Sequence, residues 1–175
     1  MRDDAVARAT RVRLMIFDVD GVLTDGGLFY GAEGESIKRF NVLDGHGIKL
    51  LQGSGVAAAI ISARKSEIVA RRAADLGIRH LYQGVHDKRA AFEQLLAQAS
   101  VAPEACGFIG DDVIDLPILL RVGFAASVPN AHAEVRSRVH YVTQAGGGNG
   151  AARELCDFIL RAQGNYEAAL AAYLA

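Results

Sequence analysis

Two carboxylates, Asp18 and Asp20, stand two residues apart in RLMIFDVDGVLTD, residues 13–25. They follow a short apolar run, Leu14 to Phe17, that reads as a buried strand. Side chains two apart on an extended chain point the same way, so these acids repel unless a cation or a split in their pKa values compensates. Three further acids, Asp111, Asp112 and Asp115, lie in GDDVIDLP, directly after another apolar run at 106–109. Asp115, one turn beyond Asp111, shares its helical face, which a helix cap alone would not require. Between the two acidic stretches come Ser62 with Arg64, at the end of a third apolar run, and Lys88, at the start of an amphipathic helix. Excess carboxylate suits Mg²⁺, a hard cation that takes oxygen ligands and keeps several waters. Lysine, hydroxyl and Mg²⁺ together suit a phosphoryl group, whose transfer needs positioning and charge neutralisation. Each feature alone has a plainer reading: a strand-end serine, a solvated Arg64–Lys65 pair, a first-turn lysine, helix-start acids. Together, and in this order, they are hard to obtain by chance.

The elements that must carry these groups follow from periodicity. Residues 1–10 read as a loose arm. After the acidic turn, glycines bracket two short runs, which suggests a β-hairpin of 28–30 with 35–41. Asp44 is placed to cap a short helix through Leu51, closed by Gly53 or Gly55. VAAAIISAR, residues 56–64, is a buried strand. Helices are expected over 66–76 and 87–99, the second with Phe92, Leu95, Leu96 and Ala99 at i, i+3, i+4 and i+7. Strands are expected at 80–83, 106–109, 124–127 and 140–142, with a helix through Arg121 and a last one around Leu155, Phe158 and Ile159. Gly146 to Gly150 reads as a mobile glycine loop. Strands alternating with helices predict an α/β fold, with a mainly parallel sheet covered on both faces. The 175 residues suit one domain. In such a sheet ligands bind outside the carboxyl ends of the strands, where all four features fall.

Composition narrows the function classes. Apolar residues make up 51%, enough for a sizeable core, and the net charge of −1 gives no field that would gather nucleic acid or an anionic membrane. No apolar run approaches a membrane span, and the first dozen residues hold no signal-like core. Cys106 and Cys156 sit in apolar patterns and read as reduced core residues of a cytoplasmic protein.

DVDGVLTD, the hydroxyl in IISAR, Lys88 and GDDVIDLP resemble, in order, the four motifs of the haloacid dehalogenase superfamily of phosphatases. FNVLDGHGIKLL, the arginine of SARK, and GGGNGAARE are similar to a cap-less subgroup, the 3-deoxy-D-manno-octulosonate 8-phosphate (KDO 8-phosphate) phosphatases. SAR stands where that subgroup has TGR: the hydroxyl is kept and a methyl is added beside the phosphate. The resemblance implies a Rossmann-like three-layer sandwich. It implies Asp18 as nucleophile and Asp20 as proton carrier, with Ser62 and Lys88 holding phosphoryl oxygens. Mg²⁺ would be held by Asp18, Asp111 and the Asp20 backbone carbonyl, and Asp112 or Asp115 would act through water or orient Lys88. By the same analogy Asn41, Val42, Leu43, Asp44, Gly45, Lys49, Arg64 and Arg72 meet the sugar acid, together with Asp20 and Lys88.

Larger superfamily members insert a cap domain after the first motif or between the second and third. Here the first gap holds the hairpin, residues 27–41, and the second holds one helix and one strand, so no cap domain fits. The resemblance implies a homotetramer in which neighbouring chains close the site. Tyr166, Leu170, Tyr173 and Leu174 of the tail, residues 164–175, either cover a neighbour or pack on their own domain. The expected substrate is a small sugar-acid phosphate, KDO 8-phosphate, used in lipopolysaccharide precursor synthesis. The rivals are a phosphatase for nine-carbon sialic-acid-like 9-phosphates, disfavoured by Arg64, and a non-catalytic assembly module, disfavoured by the presence of both Asp18 and Asp20.

Overall fold

The computed structural model describes residues 2–174. In chain order the elements are α1 (Arg2–Ala9), β1 (Leu14–Phe17), β2 (Phe29–Gly31), β3 (Gly34–Ile37), α2 (Val42–Gly53), β4 (Ala57–Ile61), α3 (Glu67–Asp75) and β5 (His80–Tyr82). Then come α4 (Lys88–Ala99), β6 (Cys106–Ile109), α5 (Leu116–Leu119), β7 (Phe124–Ser127), α6 (Ala133–Arg136), β8 (Tyr141–Val142), α7 (Ala151–Ala162) and α8 (Tyr166–Leu174). Six parallel strands run in the order β5-β4-β1-β6-β7-β8, and β2 pairs antiparallel with β3 as a separate hairpin.

The continuous apolar runs are explained by burial on both faces. Met15 and Phe17 of β1 point into a core shared with α1, α2 and α7, while Leu14 and Ile16 point into a second core with Phe92, Leu95 and Ile118. β1 sits in the middle, with Phe17 level with Ile60 of β4 on one side and Ile109 of β6 on the other. The chain passes from β1 to β4 on one side and returns from β5 through α4 to β6 on the other, so the strand order reverses at β1 and a crevice opens above its carboxyl end.

Four expectations change. Residues 2–9 are a helix, not a loose arm, because Ala5 and Ala9 are buried against the core and Arg8 donates to the Gly123 carbonyl at 3.0 Å; Met1 lies outside the described residues. The cap of α2 is Asn41, whose Oδ1 accepts the Leu43 N–H at 2.8 Å, and Asp44 is buried in the first turn instead. After β6 the chain makes a 3₁₀ turn, Val113–Asp115, before a short α5 with a proline at its start. The glycine loop is packed, not loose: the Gly148 N–H donates to the Val22 carbonyl at 2.9 Å. A Cβ on Gly147 would collide with the Gly21 carbonyl, and one on Gly148, at φ +65°, with the backbone of Thr24 and Asp25. Glycine here permits close approach of two backbones.

Candidate active site

The acidic turn is held by backbone contacts. The Asp18 N–H donates to the Ile109 carbonyl at 3.0 Å, tying the residue after β1 to the end of β6. Gly21 adopts φ +91°, and a Cβ there would fall on the Asp111 carboxylate. This one glycine therefore both turns the chain and lets the two acidic stretches touch. Thr24 Oγ1 accepts the Gly26 N–H at 3.2 Å and closes the turn.

Lys88 enters from the first position of α4, whose cap is Asp87, its Oδ1 accepting the N–H groups of Arg89 and Ala90 at 2.9 and 3.1 Å. The Lys88 ammonium is buried and donates to Asp18 Oδ1 at 3.0 Å and to Asp115 Oδ1 at 2.5 Å. Burial works against its charge, but Asp18 and Asp115 outweigh it and hold the lysine above its ordinary pKa. Asp115 is fully buried, and its Oδ2 accepts the N–H groups of Asp111 and Asp112 at 3.0 and 3.2 Å. Asp112 accepts the Val113 N–H at 2.7 Å and completes a capping box with Asp115. Asp115 thus shapes the Asp111 turn and orients Lys88.

Asp18, Asp111 and Asp115 can each bring a carboxylate oxygen within 4.8 Å of the others. Burial, then repulsion from Asp115, pushes the Asp18 carboxyl up to about 8 despite Lys88. Burial, then Asp115 and Asp112, pushes Asp111 up to about 7. Crowded, buried carboxylates of this kind fit a hard divalent cation that would favour their ionised forms. Since both Asp115 oxygens already accept hydrogen bonds, Asp18 and Asp111 are the better side-chain ligands.

Ser62 is buried at the carboxyl end of β4, where its N–H donates to the Tyr82 carbonyl at 2.9 Å and its Oγ accepts the Arg64 N–H at 3.3 Å. Asp20 faces the hairpin. Its Oδ1 accepts from the buried Lys38 ammonium, which also stands 2.9 Å from Glu35 Oε1. Burial opposes the Lys38 charge, and contacts with Asp20 and Glu35 overcome that and raise its pKa. The Arg64 guanidinium reaches Tyr30 Oη at 3.0 Å, with Nε 3.8 Å from Asp20 Oδ2. Lys38, Glu35 and Tyr30 escaped sequence reasoning; the only signal was an acid and a base three apart in ESIK.

None of the remaining expected substrate residues forms a hydrogen bond or ion pair with Asp18, Asp20, Asp111 or Asp115 among the described residues, apart from Lys88 and Arg64. Arg72 donates to the Asn41 carbonyl at 3.3 Å and lies 5.7 Å from the Phe40 ring centre, beside Gly45. Asp44 accepts the N–H groups of Gly150 and Arg153 at 3.3 and 2.8 Å, anchoring the start of α7. Val42 and Leu43 are exposed at the start of α2. Lys49 lines a cavity of about 580 Å³ between α2 and α8, with His46 and Tyr173. Among the expected contacts outside the acid cluster, Arg64 alone forms an ion pair with one of the acids, Asp20.

A parallel sheet with a buried acid at one strand end, a strand-end hydroxyl, a buried lysine and an acidic turn beside it has the make-up of a phosphoryl-transfer site. The chain belongs to the haloacid dehalogenase-like hydrolases, whose family model matches residues 61–155. It is 47% identical over 167 residues to the 3-deoxy-D-manno-octulosonate 8-phosphate phosphatase of Yersinia pestis, covering 95% of this chain and 89% of that protein. The enzyme of the same name from Moraxella catarrhalis, solved with magnesium, phosphate and KDO, superposes with a TM-score of 0.96 at 41% identity and covers 99% of each chain. A cobalt-bound deoxy-D-mannose-octulosonate 8-phosphate phosphatase from Haemophilus influenzae superposes at 0.89 with 44% identity, covering 91% of this chain and 93% of that one.

Proposed function

We propose that this chain is a Mg²⁺-dependent phosphatase that hydrolyses KDO 8-phosphate to KDO and phosphate through an aspartyl-phosphate on Asp18, in lipopolysaccharide precursor synthesis. The observation that carries the reading is the meeting of Asp18, Lys88 and Asp115 at the end of β1, within a chain 47% identical to such phosphatases over 95% of its length. Asp18 and Asp111 would hold Mg²⁺ through their side chains, with the Asp20 carbonyl, and the ion would neutralise phosphate charge and favour the ionised nucleophile. Lys88 and Ser62 hold phosphoryl oxygens, and Asp115 keeps Lys88 aimed inward.

In the first step an Asp18 oxygen forms a bond to phosphorus while the bond to the sugar oxygen breaks. Asp20 gives its proton to that oxygen and becomes a carboxylate. In the second step Asp20 takes a proton from water as its oxygen attacks phosphorus, and the acyl-phosphate electrons return to Asp18. The chain acts as one hydrolase domain in the cytoplasm. It assembles as a homotetramer in which the hairpin of residues 27–41 and a loop of a neighbouring chain close the site, while the described part of the tail lies on its own chain, with the Tyr173 ring 5.4 Å from His46. The exposed Leu28, Phe29, Tyr30 and Ile37 support this, because apolar patches of that kind mark contact surfaces.

Arg64 tests the substrate. Its Nε is buried without a hydrogen-bond partner, and a guanidinium there suits a sugar carboxylate. Loss of a charge-assisted hydrogen bond costs about 1.5–3 kcal/mol, roughly one to two decades. Arg64→Ala should therefore lower kcat/KM for KDO 8-phosphate by that factor while changing a small phosphate without a carboxylate far less. Equal losses on both would assign Arg64 to phosphate or to structure.

A further inference from the structure

The hairpin places a lysine on the proton carrier. Lys38 follows β3, 18 residues beyond Asp20 in sequence, and its side chain is only 1% exposed. Its ammonium meets Asp20 Oδ1 on one side and Glu35 Oε1 on the other. A buried ion pair is weak grounds for stability, since desolvation offsets most of the attraction. Its placement on one oxygen of one catalytic acid calls for another explanation.

We propose that Lys38 is a positioning residue for Asp20: by occupying Oδ1 it fixes the carboxyl group so that the exchanged proton travels on Oδ2. An ammonium only donates, and the carbonyl oxygen of a protonated carboxyl is its better acceptor, so the acid proton is favoured on the other oxygen. Oδ2 is left facing Arg64 Nε at 3.8 Å, too far for a hydrogen bond, and the Asp20 side chain is 20% exposed. Glu35 holds Lys38 from behind, at 2.9 Å, and its own side chain is 11% exposed. The hairpin therefore supplies part of the acid–base machinery from within the same chain, separately from any part it plays between chains. A carboxyl free to rotate would offer its proton in several directions, and misplacement of about 1 Å at a reacting group can cost about a hundredfold in rate.

The inference rests on Asp20 acting as acid and base in the proposed phosphatase reaction. Its test uses a series of aryl phosphates of graded leaving-group pKa, which lack the sugar carboxylate and so do not depend on Arg64 recognition. For an enzyme that forms an aspartyl-phosphate, kcat/KM reports the steps through leaving-group departure. Poor leaving groups need the Asp20 proton and good ones do not. Lys38→Met should lower kcat/KM by about tenfold or more for the poorest leaving group and little for the best, steepening the plot against leaving-group pKa. The slope does not depend on how much of a preparation is folded. An unmoved slope in Lys38→Met overturns the proposal. Should that variant fail to fold, Glu35→Gln, which loosens Lys38 without removing it, should steepen the slope by a smaller amount, and an unmoved slope there overturns it equally. KDO 8-phosphate is assayed with the wild type in parallel. Hydrolysis of the aryl phosphates without hydrolysis of KDO 8-phosphate would strike the substrate reading alone, whereas an unmoved slope in an enzyme that does hydrolyse KDO 8-phosphate would strike the Lys38 proposal alone.

Discussion

Asp18 and Asp111 are carboxylates held where carboxylates are unstable. Burial and the neighbouring Asp115 raise Asp18 to about 8 and Asp111 to about 7, against an ordinary value of 3.8. A carboxyl with a higher pKa in the folded than in the unfolded state binds more protons when folded, so stability falls as pH rises between the two values. For this pair the window runs from 3.8 up to about 7 and about 8. A cation that binds the ionised forms reverses the trend, because its affinity grows as protons leave. Chelated protein should thus melt lower at about pH 8 than at about pH 5 through this pair, and the rise in Tm on adding Mg²⁺ should be larger at the higher pH. Thermal melts in EDTA and in Mg²⁺ across that range check both; a Mg²⁺ effect equal at the two pH values would contradict the assignment. Asp18, Asp111 and Lys88 were legible in the sequence because each follows a strand or opens a helix in a fixed order. The partition of labour was not. That Asp115 is used up by Lys88 and two backbone N–H groups depends on the 3₁₀ turn at Val113–Asp115, which the 3.6-residue pattern does not announce.

At the scale of elements, β6 ends where its apolar run ends, and every residue of β6 and β7 is buried. The edges were harder to read. α1 has a weak pattern and becomes a helix through two alanines docked on the core, an outcome set by tertiary contact. The glycine loop before α7 carries one side chain, that of Asn149, and no apolar one to suggest packing, yet it lies against the acidic turn. The hairpin was legible as two short strands, but its cargo was not: only folding β2 and β3 back over the crevice brings Lys38, Glu35 and Tyr30 to Asp20 and Arg64. Removing residues 28–34 should therefore do two things at once. It should shift the protein to smaller assemblies in sedimentation, and it should lower kcat/KM for KDO 8-phosphate more than for a small phosphate. An active, selective monomer would show that the site closes some other way.

Across the whole molecule, a single sheet gathers its chemistry at one end. β1 delivers Asp18 and Asp20, β4 delivers Ser62, β6 delivers Asp111, and α4 sends Lys88 back among them. Cys106 and Cys156 are free and buried, with burial raising both thiols, Cys106 to about 12, so they contribute packing and not reactivity. None of the helices among the described residues is long and apolar enough to cross a membrane. The parallel layers were legible because strand and helix periods differ plainly in the sequence. The hydrogen bonds of Asn41, Asp44 and Arg72 were not, since their side chains and carbonyls are spent on the start of α2 and of α7. The most direct measurement is phosphate release from KDO 8-phosphate by the wild type and by Asp18→Asn, each in Mg²⁺ and in excess EDTA. Asn fills the same volume but cannot form the acyl-phosphate. Turnover should occur only in the wild type with Mg²⁺. Release at near-normal rate by Asp18→Asn, or by the wild type in EDTA, would contradict the account.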